Sequence, residues 1–192
     1  MAKKIALFAS GQGTNAKIIY SYFERSPDIM VGAICSNSLS GGALKFAKRT
    51  NVPSFFLESR LPSSFEALSL FLKKESIDYL VLAGFLLKIP RFIIADYENK
   101  IINIHPSLLP KYGGKGMYGK KVHSAVIDHN EAYSGITIHY VNENYDEGAV
   151  IFQHPYKIKN GETPSSLERA VQKIEHQCFS LVLEKIINSR LS

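Results

Sequence analysis

Short apolar runs that alternate with amphipathic helical segments constrain this chain more than any other feature. Residues 4–9 form an apolar run that stops at Ser10-Gly11-Gln12-Gly13, and Ile18, Ile19, Tyr22 and Phe23 then recur at helical spacing. The unit repeats: residues 30–35 read as a strand, 43–49 as a helix, 53–57 as a strand, 65–74 as a helix and 79–83 as a strand ending at Gly84. Such alternation predicts an α/β fold with a mainly parallel central sheet flanked by helices on both faces. A helix over 90–97 and a strand over 100–104 follow, the strand halting at Pro106 because proline supplies no ladder donor.

The glycine-rich stretch 111–121, with Lys111, Lys115, Lys120 and Lys121, reads as a mobile loop, closed by a helix over 122–129. Strands over 136–141 and 149–156 should pair antiparallel across a loop at 142–148. The final helix starts at Thr163-Pro164, with Thr163 or Ser165 as its cap and Val171, Ile174, Cys178, Leu181 and Val182 as its buried stripe. No repeat or linker divides the chain, so residues 1–192 are expected to form a single domain.

At 192 residues and 45% hydrophobic composition, the chain can bury a full core. No segment approaches the roughly 18 apolar residues of a membrane span, and Met-Ala-Lys-Lys leads directly into the first strand, so a soluble, cytoplasmic protein with no membrane partner is expected. Cys35 and Cys178 both sit among apolar neighbours and read as core filler. The net charge of +6 favours anionic ligands. The lysines form no stripe with interleaved aromatics, which argues against a nucleic-acid-binding module.

Three constellations could carry chemistry. Ser10-Gly11-Gln12-Gly13-Thr14-Asn15 places a helix start after the first strand, a ready anion site. It lacks the third glycine of a dinucleotide fingerprint and the Lys-Ser/Thr ending of a P-loop, which leaves a monoester phosphate or a plain turn capped by Thr14 or Asn15. In Asn103-Ile104-His105-Pro106-Ser107-Leu108-Leu109-Pro110, strand periodicity puts Asn103 and His105 on one face at a strand's carboxyl end, where sheets of this class bind ligands. Asp146-Glu147-Gly148 is either a solvated turn or a carboxylate that reaches His105 and raises its pKa. His105, His123, His139 and Asp146 match no helix-borne metal motif, so no metal is expected, and His129, His139 and His154 each have a structural explanation.

Taken together, Asn103-Ile104-His105-Pro106-Ser107-Leu108-Leu109-Pro110, Gly11-Gln12-Gly13-Thr14-Asn15 and Ala83-Gly84-Phe85 resemble the folate-dependent glycinamide ribonucleotide formyltransferases over nearly the whole chain. That resemblance implies a Rossmann-like formyltransferase fold and transfer of a formyl group from 10-formyltetrahydrofolate, as co-substrate, to the amine of glycinamide ribonucleotide. It implies catalysis by Asn103, His105 and Asp146, phosphate binding by Gly13, Thr14 and Asn15, and amine-substrate contacts from Gln172 and Glu175, three apart on one helical face. It also implies a folate site formed by Leu86, Leu87, Lys88 and Ile89, with Asn103 and the loop Asn142, Glu143, Asn144, Tyr145 and Asp146. For Leu86, Leu87 and Ile89, core packing is the competing reading. Two departures stand out: Leu87 occupies a position that is often basic in the family, and the loop after Pro110 is longer than its commonest form.

In the mechanism so implied, Asn103 and a protonated His105 meet the developing oxyanion, and Asp146 keeps His105 charged. A methionyl-tRNA formyltransferase is expected to be longer, with an RNA-binding domain, and a formyltetrahydrofolate hydrolase to carry an additional N-terminal domain. The expected assembly is a monomer or weak homodimer.

Overall fold

The computed structural model describes residues 2–58 and 61–189. Its elements run β1 (Lys3–Phe8), α1 (Thr14–Phe23), β2 (Ile29–Ser36), α2 (Gly42–Arg49), β3 (Ser54–Phe56), α3 (Ser63–Lys74), β4 (Tyr79–Leu82), α4 (Arg91–Asp96), β5 (Ile101–His105), α5 (Lys120–Asp128), β6 (Tyr133–Tyr140), β7 (Val150–Lys157) and α6 (Pro164–Ser189). The strands form one seven-stranded sheet in the order β3-β2-β1-β4-β5-β6-β7. β1 pairs in parallel with both β2 and β4, β2 pairs in parallel with β3, and β6 and β7 are antiparallel. The α/β fold with an antiparallel C-terminal pair is therefore present.

By its internal contacts the chain divides into two compact units, Met1–Ile102 with Leu183–Ser192, and Asn103–Val182. In the first, β1 and β4 form the centre: Ile5, Ala6, Leu7 and Phe8 are fully buried, as are Leu80 and Val81. Burial along every residue of a short strand is what a parallel sheet covered on both faces requires, and it explains why these strands read as continuous apolar runs. At their carboxyl ends the Phe8 and Phe85 rings meet edge to face at 5.3 Å, and Ser10 ties the two turns together. Its amide donates to the Gly84 carbonyl at 2.9 Å, and its hydroxyl accepts from the Leu86 amide at 2.9 Å. Cys35 is fully buried, and burial pushes its thiol pKa up, as expected of an inert core cysteine.

In the second unit, β6 and β7 pair from Tyr133↔Lys157 to His139↔Val150, with a register irregularity between Ile138 and His139. β6 alternates: Ile136 and Ile138 are fully buried on one face, while Thr137 and His139 are buried on the other. The start of α6 is capped reciprocally, Ser166 N donating to Thr163 Oγ1 at 3.2 Å and Thr163 N to Ser166 Oγ at 2.9 Å, so Thr163 rather than Ser165 is the cap. The buried stripe of α6 also departs from the expected one. Leu167, Val171 and Ile174 hold the phase, but Phe179 and Leu183 then take the buried positions and Leu181 is 55% exposed. The buried stripe thus moves by about one residue from Phe179 onward. Among the described residues, no helix is long and apolar enough to cross a membrane.

Candidate active site

Pro106 stops β5 immediately after His105, and the segment that follows is knitted to the β6–β7 hairpin. Thr137 does most of this: fully buried, it donates to the Ser107 carbonyl at 2.7 Å and accepts from the Leu109 amide at 3.0 Å and from Gln153 Nε2 at 2.9 Å. Gln153 Nε2 also donates to the Leu109 carbonyl at 2.9 Å. Every hydrogen-bonding capacity of the buried hydroxyl is thus used, which fixes the end of β5.

Asn103, His105, His139 and Asp146 meet at this strand end. The Asn103 amide nitrogen lies 3.0 Å from His139 Nε2, while His139 Nδ1 lies 2.8 Å from the Tyr140 carbonyl. A carbonyl can only accept, so His139 carries its proton on Nδ1, and Nε2 accepts from Asn103. Asn103 thereby has its amide oriented, and among the described residues its second N–H is left to meet a ligand oxygen. Asp146 Oδ2 lies 3.5 Å from His105 Nδ1 and Oδ1 lies 3.7 Å from His139 Nε2, so the loop aspartate does reach His105. Oδ2 also accepts from the Gly114 amide at 2.9 Å, which ties the glycine-rich loop to the carboxylate. His139, expected from sequence to have only a structural role, is part of the cluster. Its signal was the pairing of Thr137 and His139 on one face of a strand whose other face is Ile136 and Ile138.

His105 is 4% exposed, and its Nε2 donates to the Tyr112 carbonyl at 2.8 Å. Nδ1 is therefore the nitrogen free to exchange a proton with the Asp146 side. Asp146 does act to raise the His105 pKa, as expected, but the net direction is downward. Burial lowers it, and the Asp146 charge and the Tyr112 carbonyl, which act in the opposite sense, offset only part of that. A proton on Nδ1 is thus held loosely, which suits a group that must release it. For Asp146, burial acts upward, but the charge of His105 and the Gly114 amide help take its carboxyl below the usual value.

The buried histidines make stability pH-dependent. His105 and His123, the latter 2% exposed with no partner for Nδ1 among the described residues, are both pushed below the ordinary value by burial. Between that lowered value and the unfolded value near 6.5, the unfolded chain binds more protons, so stability must fall as pH falls through this window. Urea unfolding at pH 7.5 and 5.5 should show a lower midpoint at 5.5, with each histidine contributing up to roughly 1.4 kcal/mol per pH unit. An unchanged or higher midpoint at pH 5.5 would contradict this. Asp146, with its lowered value, contributes only at more acidic pH.

The other residues singled out in the sequence are placed as follows. α1 starts from Gly13, whose φ of 67° is left-handed, so glycine rather than Thr14 or Asn15 stands at the N-cap position. Gly13 is required twice over: that backbone conformation, and the Ala43 Cβ, which would lie 3.1 Å from any Cβ added here. After β4, Leu86 is 48% exposed and Lys88 is exposed, Leu87 is half-buried and Ile89 is core at 3%. Core packing therefore accounts for Ile89 but not for Leu86. In the loop before β7, Asn142, Glu143, Asn144 and Tyr145 are exposed, and Asn144 is held by Asn142 Oδ1 and Glu147 Oε2. On α6, Gln172 is exposed and Glu175 half-buried. Among the described residues, no group of three His, Cys, Asp or Glu is arranged to hold a metal ion.

Comparison with known proteins gives a consistent picture. The family model described as formyl transferase matches residues 3–183. The chloroplastic phosphoribosylglycinamide formyltransferase of Arabidopsis thaliana is 36% identical, over 98% of this chain and 67% of that protein. The phosphoribosylglycinamide formyltransferase of Bacillus subtilis is 31% identical, over 96% of this chain and 95% of that protein. The crystal structure of the phosphoribosylglycinamide formyltransferase from Bacillus halodurans superposes with a TM-score of 0.88 at 31% identity, covering 96% of this chain and 95% of that one.

Proposed function

Because this chain belongs to the formyl transferase family, we propose that it carries the formyl group of 10-formyltetrahydrofolate to the amine of 5'-phosphoribosylglycinamide, releasing formylglycinamide ribonucleotide and tetrahydrofolate in purine biosynthesis. The observation that carries this reading is the cluster of Asn103, His105 and Asp146, with His139 orienting the Asn103 amide.

In this reaction a bond forms between the amine nitrogen and the formyl carbon, the bond from that carbon to the folate nitrogen breaks, and a proton passes from the amine to the folate nitrogen. The second N–H of Asn103 stabilises the negative oxygen of the tetrahedral intermediate, and it is preorganised because the first is held by His139. His105 donates to the same oxygen or to the departing nitrogen from Nδ1, since Nε2 is committed to the Tyr112 carbonyl. Asp146 receives the proton from the amine side and balances the charge on His105.

Gly13, Thr14 and Asn15 hold the substrate phosphate at the start of α1, where backbone amides face the ligand. Gln172 and Glu175 contact the amine substrate. Leu86, Leu87, Lys88 and Ile89 contact the folate, as do Asn142, Glu143, Asn144 and Tyr145, and the exposed Leu86 side chain suits a flat, largely apolar ring. The enzyme works in the cytoplasm on small molecules, as a monomer or weak homodimer.

Gly13→Ala should raise KM for the phosphorylated amine about tenfold, with kcat much less affected, because the added Cβ distorts the helix start. Steady-state kinetics on both substrates check this, and an unchanged KM would remove the phosphate assignment. The reading as a whole is tested by following folate release spectrophotometrically with and without the amine. Amine-dependent release supports transfer, whereas equal release without it points to hydrolysis.

A further inference from the structure

Tyr112 joins the catalytic histidine to a cluster that the mechanism does not use. Its carbonyl accepts from His105 Nε2 at 2.8 Å, yet its backbone is left-handed, with φ 57°, a conformation uncommon for a residue of this size. Its hydroxyl donates to Glu131 Oε1 at 2.9 Å, and the same oxygen accepts from Lys111 Nζ at 2.8 Å. Glu131 lies just beyond α5, its amide bonded to the Val126 carbonyl at 3.3 Å, so it is anchored to a different element from the peptide it holds. On the other side, the Gly114 amide is bound by Asp146. The peptide that carries the Tyr112 carbonyl is therefore pinned at both ends, by Glu131 before it and Asp146 after it.

Packing does not hold this segment alone. A cavity of 280 Å³ is lined by Lys111, Tyr112, Glu131 and Tyr133 among others, leaving room for the Tyr112 side chain to move once its bond is lost. The ring also approaches His129 edge to face, with centroids 5.7 Å apart.

We propose that Glu131 is a positioning residue for the proposed formyl transfer: by holding the Tyr112 hydroxyl and Lys111 it fixes the carbonyl that orients the His105 imidazole. This rests on the reading of His105 as catalytic, but the clamp itself can be observed without turnover. The Glu131 carboxyl lies below the usual carboxylate range, first through the Lys111 hydrogen bond and then through that of Tyr112, so it is charged wherever the enzyme would work.

The test uses the full chain with ¹⁵N-labelled histidine, comparing wild type with Glu131→Ala, Glu131→Gln and Tyr112→Phe, the His105 signals being assigned by their loss in His105→Asn. In Glu131→Ala and Tyr112→Phe, the Nε2-protonated signal of His105 should broaden, and its titration midpoint should fall, because the Tyr112 carbonyl favours the charged ring. Asp146, His139 and His123, the titratable groups facing His105, are unchanged in these variants. Kinetically, kcat should fall roughly five- to tenfold with KM nearly constant. Glu131→Gln, which keeps an acceptor for the Tyr112 hydroxyl, should recover part of both effects. His105 signals and midpoint identical to wild type in both Glu131→Ala and Tyr112→Phe would overturn the proposal. Should the wild type prove not to transfer formyl groups, the spectroscopic result alone still decides whether the clamp exists.

Discussion

Asp146→Asn is expected to lower kcat about a thousandfold while leaving the protein folded. The substitution is unusually clean here. Asp146 has a left-handed backbone, with φ 58°, and asparagine is one of the few residues that tolerates it as well as aspartate does. The side-chain oxygen that accepts from the Gly114 amide can also be kept. What is lost is the negative charge facing His105 Nδ1 at 3.5 Å and His139 Nε2 at 3.7 Å. Burial already disfavours the charged His105 ring, so without Asp146 its pKa falls further and there is neither a charge partner nor a proton acceptor beside it. Steady-state kinetics with thermal melts would check both halves. A variant with near-normal turnover would remove Asp146 from the mechanism, and a variant that melts far below wild type would show that its role is structural.

The second large effect is on stability. Gly148→Ala should lower stability by about 3 kcal/mol or more, equivalent to a Tm drop on the order of 10 °C for a chain of this size. An added Cβ would collide with the Tyr140 carbonyl, a backbone atom that cannot swing aside as a side chain could. Tyr140 is held there because its amide donates to the Ala149 carbonyl at 2.9 Å, and because its own carbonyl accepts from His139 Nδ1 at 2.8 Å. Relieving the collision therefore opens the β6–β7 turn and displaces both His139 and the Asp146 loop, so activity should fall with stability. A melting temperature within a degree or two of wild type would show that the turn can relax and that the close approach is not a constraint.

The elements were legible where burial is complete on both faces or clean on one. β1 and β4 announce themselves by the unbroken apolar runs of residues 5–8 and Tyr79–Leu82, and β6 by the alternation of Ile136, Thr137, Ile138 and His139. Asn103 and His105 were legible as a pair because a polar strand end before a proline has little structural use. What sequence could not give is long-range registration. That Asp146 reaches His105 depends on a left-handed residue, and that His139 fixes the Asn103 amide depends on a pairing irregularity just before it. The direction of the His105 pKa is not legible in sequence for a related reason: the charge partner is visible as a residue type, whereas the depth of burial that outweighs it is a property of the folded chain. On α6 both Leu181 and Leu183 are apolar, and only the fold decides that Leu183 is the buried one.

The central claim, that the formyl group ends on the amine, is tested most directly by following the atom that moves. With 10-formyltetrahydrofolate labelled with ¹³C in its formyl carbon and 5'-phosphoribosylglycinamide as acceptor, NMR should show the label entering the formamide of the product in step with tetrahydrofolate release. Label appearing instead as free formate, at a rate indifferent to the amine, would contradict the assignment.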